Sequence, residues 1–390
     1  MSTKSDVIVV GAGVQGASLA FHLARRGVSV TVLERATVAS GATGRSSGFV
    51  RMHYDLESEV LLAHASYPYF TSWADMVGEG DPGFVRTGFV RLLARSYEPL
   101  LRANIAMQQR LGVETKALTV QELAELCPGI VTDDCDIVAY EPRSGYADPT
   151  GTTAGFLAAA RRHGTRLVQG CRVERVLVEG DRVTGVAAAD ETYLAPIVVD
   201  AAGAWAAQLA STVGLEVPVD TWRHDTGFFG LPEGRTADFP IVVDDPAGIY
   251  FRPEGRELML VGLEEGNLVG GSPDRPLTGI RPGADAEMIE RVCRRLPWMA
   301  EGSYRSAYGG QDGITPDQRA IIGPAGPDGF FLDCGFSGTG FKTAPAVGAS
   351  LAEWIVDGRP STVDLSVFRL ERFAEGQPLR GRYAYENAWR

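Results

Sequence analysis

A three-glycine turn lies between an apolar run and a helix-forming segment near the start of the chain, and few folds accommodate that order. Asp6–Val10 reads DVIVV, a short β-branched stretch of the kind buried on both faces of a parallel sheet. Gly11-Ala-Gly13-Val-Gln-Gly16 follows as a turn, and Ala17–Arg26 has the small and apolar face of a helix, with Gly27 as its C-terminal stop. Val28–Leu33 (VSVTVL) predicts a second strand, ending at Glu34, 23 residues after Gly11. The three glycines serve different ends. Gly11 allows the tight turn, Gly13 lets a pyrophosphate approach the backbone, and Gly16 lets the helix pack on the sheet. The helix N-terminus then offers free N–H groups and a partial positive charge, and an acid at the end of the second strand can accept hydrogen bonds from a ribose diol. Residues 6–34 therefore predict a βαβ unit that binds a dinucleotide, and this unit alone admits NAD or FAD.

Composition closes off other classes. The formal net charge is −12, whereas a non-specific nucleic-acid binder needs a basic face. Five cysteines (Cys127, Cys135, Cys171, Cys293, Cys334) contain no C-x-x-C pair, and the histidines show no ligand spacing, so neither a disulfide framework nor a metal site is expected. No apolar run approaches the roughly 20 residues of a membrane span, and Met1–Asp6 leads straight into a strand without a signal-peptide pattern. These features predict a cytoplasmic protein. Lysine is nearly absent, occurring only at Lys4, Lys116 and Lys342.

Further along, Glu57–Trp73, Leu100–Leu111 and Thr150–His163 read as helices, and Phe84–Leu93 as a strand. Arg166–Ala189 reads as short strands around a turn, Ile197–Val199 and Phe330–Asp333 as buried strands, and 216–314 as a series of β runs including Ile249–Arg252 and Leu258–Gly262. A last helix, opened by Thr343-Ala-Pro345, ends at Gly358. The pattern predicts a two-domain α/β (α+β) chain. A Rossmann-like nucleotide domain is assembled from discontinuous segments (1–80, 145–215 and 315–390), and an inserted antiparallel β-sheet substrate domain is formed by 81–144 and 216–314.

The segment Ser40–Tyr54, SGATGRSSGFVRMHY, resembles the D-amino acid oxidase/sarcosine oxidase superfamily of flavoproteins, especially the β subunits of multisubunit sarcosine oxidases and dimethylglycine dehydrogenase-like enzymes. The likeness extends to Ser144–Pro149, to Cys171–Val176, to Val198–Trp205, to Thr315–Gly323 and to Gly335–Lys342. It implies FAD as cofactor, in contact with Gly11, Gly13, Val14, Gln15 and Gly16 of the first turn. Further contacts are implied for Glu34 and Arg35, for Thr43, Gly44, Arg45, Ser46 and Ser47 along the flavin, and for Val173 near the adenine. Ala202, Gly203, Trp205, Gly310, Gly338, Thr339, Gly340 and Lys342 complete the set. The resemblance also makes Arg51 and Lys342 the residues that hold a substrate carboxylate. The helix after Gly335–Gly340 points its positive end at the turn, where it can stabilise the negative charge of a reduced flavin.

Two departures matter. The position where monomeric sarcosine oxidases attach FAD through cysteine is Gly310 here, and Ser40–Ser47 contains no histidine of the tethering kind, so non-covalent FAD is expected. The lysine those oxidases place over the flavin has Leu260 near its position, and no lysine lies between 117 and 341. Electrons can therefore leave to oxygen or to a redox partner protein. Tyr250, a catalytic candidate, and Arg252 and His224 lie in the β-rich part, where packing accounts for each of them equally well. Glu264 and Glu265 follow the strand Leu258–Gly262; contact with the substrate or its proton is one reading, and a solvated acidic turn is the preferred one. The implied reaction is oxidation of an amino acid or N-alkylated amino acid to an imine by hydride transfer to flavin N5, followed by hydrolysis. A 2-hydroxy acid is an alternative, since the clamp reads only the carboxylate, and a scaffold holding FAD without turnover is a third reading.

Overall fold

The computed structural model describes residues 3–189, 191–277 and 279–385; the remaining positions of the expected domain segments, among them 386–390, lie outside that description. Val7–Val10 runs through the middle of a six-stranded sheet. The sheet order is Arg166–Val168, Val30–Leu33, Val7–Val10, Ile197–Asp200, Phe330–Cys334, Ile321–Pro324. The first five strands are parallel, and the last pairs antiparallel with Phe330–Cys334. All four residues of Val7–Val10 are buried because the sheet is covered on both faces. Val7 and Val9 pack with the helices Val14–Arg25, Glu57–Thr71, Pro149–Arg162 and Gly340–Asp357. Ile8 and Val10, pointing the other way by the two-residue period of a strand, pack against a small sheet that includes Arg175–Glu179, Arg182–Ala188 and Glu191–Leu194.

The eight-stranded sheet runs Ser303–Ile314, Asp220–Gly230, Leu258–Leu263, Ile249–Glu254, Ile241–Asp244, Phe89–Leu92, Ile137–Glu141, Lys116–Thr119. The expected antiparallel sheet is in fact mixed: Ile241–Asp244 pairs in parallel with Phe89–Leu92. The strands from 220 to 314 and those from 89 to 141 come from distant stretches of chain, and a long connection imposes no hairpin geometry where they meet. The core of this sheet packs on the helix Ala284–Arg295. Among the described residues no helix is long and apolar enough to cross a membrane.

Three local expectations are corrected. Phe84–Leu93 is two strands in different sheets, Val85–Arg86 and Phe89–Leu92, separated by Gly88 at φ +78°. The helix from Glu57 ends at Thr71, and Trp73–Met76 forms a separate turn of helix. The last helix begins at Gly340 rather than at Thr343, which places Pro345 inside it. Pro345 has no N–H, and the backbone nearby is served by side chains. Ser66 Oγ donates to Thr343 O (3.1 Å) and accepts from Ala346 N (3.0 Å), while Ser18 Oγ donates to Ala344 O (2.8 Å).

Candidate active site

A cavity of about 800 Å³ lies at the carboxyl ends of the parallel strands, where the sheet order reverses between Val7–Val10 and Ile197–Asp200. Such a switch point opens a crevice between diverging connections, and the volume falls in the range of small-molecule sites, roughly 300–1,000 Å³. Gly11 has φ +111°, and a Cβ there would stand 2.4 Å from Ala201 O, so the turn out of the strand tolerates no side chain. Gly13 caps the helix Val14–Arg25 without a side-chain hydrogen bond, leaving the helix end to the cavity, and Thr43 Oγ1 accepts the Val14 N–H at 3.1 Å. Glu34 is held by two backbone amides, Ala12 N on Oε2 (2.9 Å) and Ala36 N on Oε1 (2.8 Å), and lines the same cavity.

Beyond Glu34, Arg35 lies 4.6 Å over the Trp205 ring. Asp274 accepts from both, at 2.9 Å from Arg35 Nη1 and 2.9 Å from Trp205 Nε1. Sequence reasoning missed this tie because Asp274 belongs to a polar loop with no motif. Val173, Ala202 and Gly203 line the cavity at this end. Along its length run Thr43, Arg45, Ser46 and Ser47. Arg45 donates to Gly41 O (2.9 Å), and Ser47 O accepts from Arg252 Nε (2.7 Å), which ties the loop to the eight-stranded sheet. Gly310 faces Arg45, whose Cβ would lie 3.2 Å from an added side chain, and His224 is its cross-strand neighbour. Gly338 and Gly340 also line the cavity, and Gly338 N donates to Asp312 (2.9 Å).

Gly16, Gly44 and Thr339 do not line the cavity. They shape it from behind. A Cβ at Gly16 would meet Gly11 O at 2.1 Å, one at Gly44 would meet Ala39 O at 2.5 Å, and the Thr339 hydroxyl donates to Phe336 O at 2.7 Å. Leu260 is buried and likewise absent from the lining; from its strand Leu263 reaches the cavity, followed by Glu264.

Arg51, Lys342, Tyr250 and Glu264 line one cavity although they come from four separate segments. Arg51 is 4% exposed. Its guanidinium donates to His53 O and sits 4.5 Å from the Tyr54 ring centroid and 5.4 Å from that of Phe89. Lys342, 5% exposed, donates to Gly338 O (3.2 Å) and stands 5.9 Å from the same Tyr54 ring. Burial, then the charge of Arg51, holds the lysine well below its ordinary pKa. Other buried arginines have carboxylates: Arg91 with Asp245, Arg295 with Asp244, Arg319 with Asp55 and Glu59, Arg372 with Asp317. Among the described residues neither Arg51 nor Lys342 makes an ion pair, and Arg51 Nε has no hydrogen-bond partner.

Tyr250 crosses the sheet over its register partner Gly262, where a Cβ would lie 2.0 Å from its ring. Its ring meets Phe49 edge-on at 5.3 Å, and burial raises its hydroxyl pKa. Glu264 corrects an expectation. It is 7% exposed, its Oε2 has no partner among the described residues, and burial together with Asp245 raises its pKa well above the usual carboxyl range. Only Glu265 behaves as a solvated turn residue, pairing with Arg291 at the surface. The Thr315–Gly323 segment acts as a brace: Arg319 ties it to Asp55 and Glu59, and Asp317 to Arg372. No group of three His, Cys, Asp or Glu suited to a metal occurs among the described residues.

The profile of the family described as FAD dependent oxidoreductase matches residues 6–354. Human sarcosine dehydrogenase, a mitochondrial protein, is 29% identical over 388 residues, covering 96% of this chain and 42% of that protein. The formaldehyde-forming 4-methylaminobutanoate oxidase of Paenarthrobacter nicotinovorans is 27% identical over 390 residues, covering 97% of this chain and 47% of the relative. The chain thus spans less than half the length of these two relatives. Among solved structures, L-proline dehydrogenase from P. horikoshii superposes with a TM-score of 0.89 at 28% identity, over 97% of this chain and all of the other.

Proposed function

The chain belongs to the FAD-dependent oxidoreductase family and binds FAD, and from that premise we propose that it oxidises an amino acid or N-alkylated amino acid to an imine, which water then hydrolyses. The cavity fits the cofactor. Glu34 would take the ribose diol, the open end of helix Val14–Arg25 the pyrophosphate, Val173 the adenine side, and the Thr43–Ser47 stretch and the Gly338–Gly340 turn the flavin. When bound, FAD supplies the two-electron acceptor at N5.

The observation that carries the substrate class is that Arg51 and Lys342, both buried and facing one cavity, make no ion pair among the described residues. A buried guanidinium without a counter-ion is costly, and the chain elsewhere avoids that cost. Arg51 and Lys342 are therefore read as a clamp whose counter-ion is the substrate carboxylate. Held at that end, the substrate has its α-carbon or N-alkyl carbon fixed relative to the flavin, which removes orientational entropy from the reaction. A carboxylate also favours the charged form of Lys342, which burial and Arg51 disfavour. Tyr250 stays a neutral phenol and shapes the pocket wall. The names of the relatives, a sarcosine dehydrogenase, a 4-methylaminobutanoate oxidase and an L-proline dehydrogenase, support amine substrates carrying a carboxylate.

Anaerobic mixing with a panel of D-, L- and N-methyl amino acids tests the reading. At least one should bleach the flavin, whereas bleaching only by 2-hydroxy acids, or by nothing, overturns it. FAD is held non-covalently in this reading, since a glycine occupies the tethering position; acid precipitation should then leave a colourless pellet. A dehydrogenase is the second reading for electron exit, favoured by the lack of any lysine from 117 to 341. It predicts faster turnover with a dye acceptor than with oxygen.

A further inference from the structure

The carboxylate clamp explains one end of a substrate and leaves the amine unaddressed. The cavity contains an acid fitted to that role. Glu264 lies just beyond the strand Leu258–Leu263 and lines the same cavity as Arg51, Lys342 and Tyr250. It is 7% exposed, and its Oε2 has no hydrogen-bond partner among the described residues. A buried carboxyl oxygen without a partner is a costly feature in a pocket wall unless a ligand completes it. Its backbone is fixed, because Glu264 N donates to Gly248 O at 2.9 Å and Asn267 Nδ2 donates to Glu264 O at 3.3 Å, so the side chain is presented from a defined position.

We propose that Glu264 holds the amino nitrogen of the substrate and takes its proton, so that the nitrogen lone pair is free when the C–H bond breaks. This rests on the amino acid reading above and deepens it. In the step, an N–H bond of the substrate ammonium breaks and an O–H bond forms on the Glu264 carboxylate. The nitrogen keeps the electron pair of that bond and forms the C=N bond with it as the neighbouring C–H bond breaks; the hydride would carry the two electrons of the C–H bond to FAD, and the proton on Glu264 later passes to water. The charged and titratable groups acting on Glu264 come from several elements. Asp245 and Asp244 oppose its ionisation, Arg91 and Arg51 favour it, and Tyr250 senses it. Burial and Asp245 make it a stronger base than an exposed glutamate, which brings it nearer to an ammonium in proton affinity.

The same feature selects amines over 2-hydroxy acids. An alcohol places no cation against Glu264 and has no ready proton to give it, so a hydroxy acid engages the clamp alone.

The test uses the holoenzyme, an amino substrate found by anaerobic bleaching, and an amine-free carboxylate whose binding perturbs the flavin spectrum. In Glu264→Gln, kcat/KM for the amine should fall by about 10²-fold at neutral pH. The acid limb of its pH profile should move up to the ionisation of the substrate's own ammonium. The amine-free carboxylate should bind within about twofold of wild type, because the clamp is untouched, and Glu264→Asp should retain the wild-type acid limb. An unchanged acid limb in Glu264→Gln, or equal losses for the amine and the amine-free carboxylate, overturns the role. Failure of every amine to reduce the wild-type flavin overturns the reaction class itself, which is a separate outcome.

Discussion

Gly262→Ala should damage the site by displacing Tyr250 while leaving the Arg51 and Lys342 side chains unchanged. Gly262 is the register partner of Tyr250, and an added Cβ would lie 2.0 Å from Tyr250 Cζ and 2.2 Å from its hydroxyl oxygen. Carbon atoms rest at about 3.5–4.0 Å, so the ring must move by about 1.5 Å. It has little room, being set edge-on to Phe49 at 5.3 Å with its hydroxyl 3.5 Å from Thr226 Oγ1. The open direction is the cavity. Overpacking of this kind costs about 1–3 kcal/mol of stability, and a misplacement of about 1 Å at a reacting centre costs roughly 10²-fold in rate. Steady-state kcat/KM and urea unfolding read both effects. Tyr250→Ala in the Gly262→Ala background removes the clash, so a double-mutant cycle on stability should show a coupling of about 0.5–3 kcal/mol. Wild-type activity and stability in Gly262→Ala, or strictly additive effects in the cycle, would mean that the Tyr250 ring does not depend on the space left by Gly262.

Three further outcomes follow from the charged groups. Arg51→Met should weaken binding of an amine-free carboxylate by about 10- to 100-fold, the value of one charge-assisted hydrogen bond. The same change should leave melting unchanged or raise stability by about 0.5–2 kcal/mol, since an unpaired buried cation is removed. Arg319→Met should destabilise the fold by about 3–5 kcal/mol in urea titration, because the buried carboxylates of Asp55 and Glu59 lose the Arg319 guanidinium. Carboxylate binding should take up a proton: the Lys342 pKa is lowered in the free site and raised by the ligand, so between those two values protonation accompanies binding and affinity falls as pH rises. Calorimetry in buffers of different ionisation enthalpy measures that proton, and zero uptake contradicts the clamp.

The legible parts of this protein were those encoded locally. The turn Gly11–Gly16, the strand before it and Glu34 specify one another within a few turns of chain, and the structure places them around one crevice. Arg51 and Lys342 were found only through family resemblance, because nothing in either local segment reveals that two distant residues meet at the Tyr54 ring. The preferred solvated reading of Glu264 fails for a related reason. Beside Glu265 it has the pattern of an exposed turn, and its burial arises from strands contributed by other parts of the chain. The mixed pairing of the eight-stranded sheet depends on contacts between segments about 150 residues apart, which periodicity does not report. Gly262 and Asp274 carry no motif at all; one is defined by a ring crossing the sheet and the other by a loop reaching back to Arg35 and Trp205.

Whether the cavity reads a carboxylate is decided by the rapid-mixing rate of flavin reduction for a reactive amino acid and for its amide, with wild type and with Arg51→Gln/Lys342→Gln. The two buried cations predict that wild type prefers the acid by about 10²-fold or more, and that the double variant loses that preference by slowing on the acid alone. Equal rates for acid and amide in wild type, or an undiminished preference in the double variant, would contradict the claim that this cavity is built around a carboxylate.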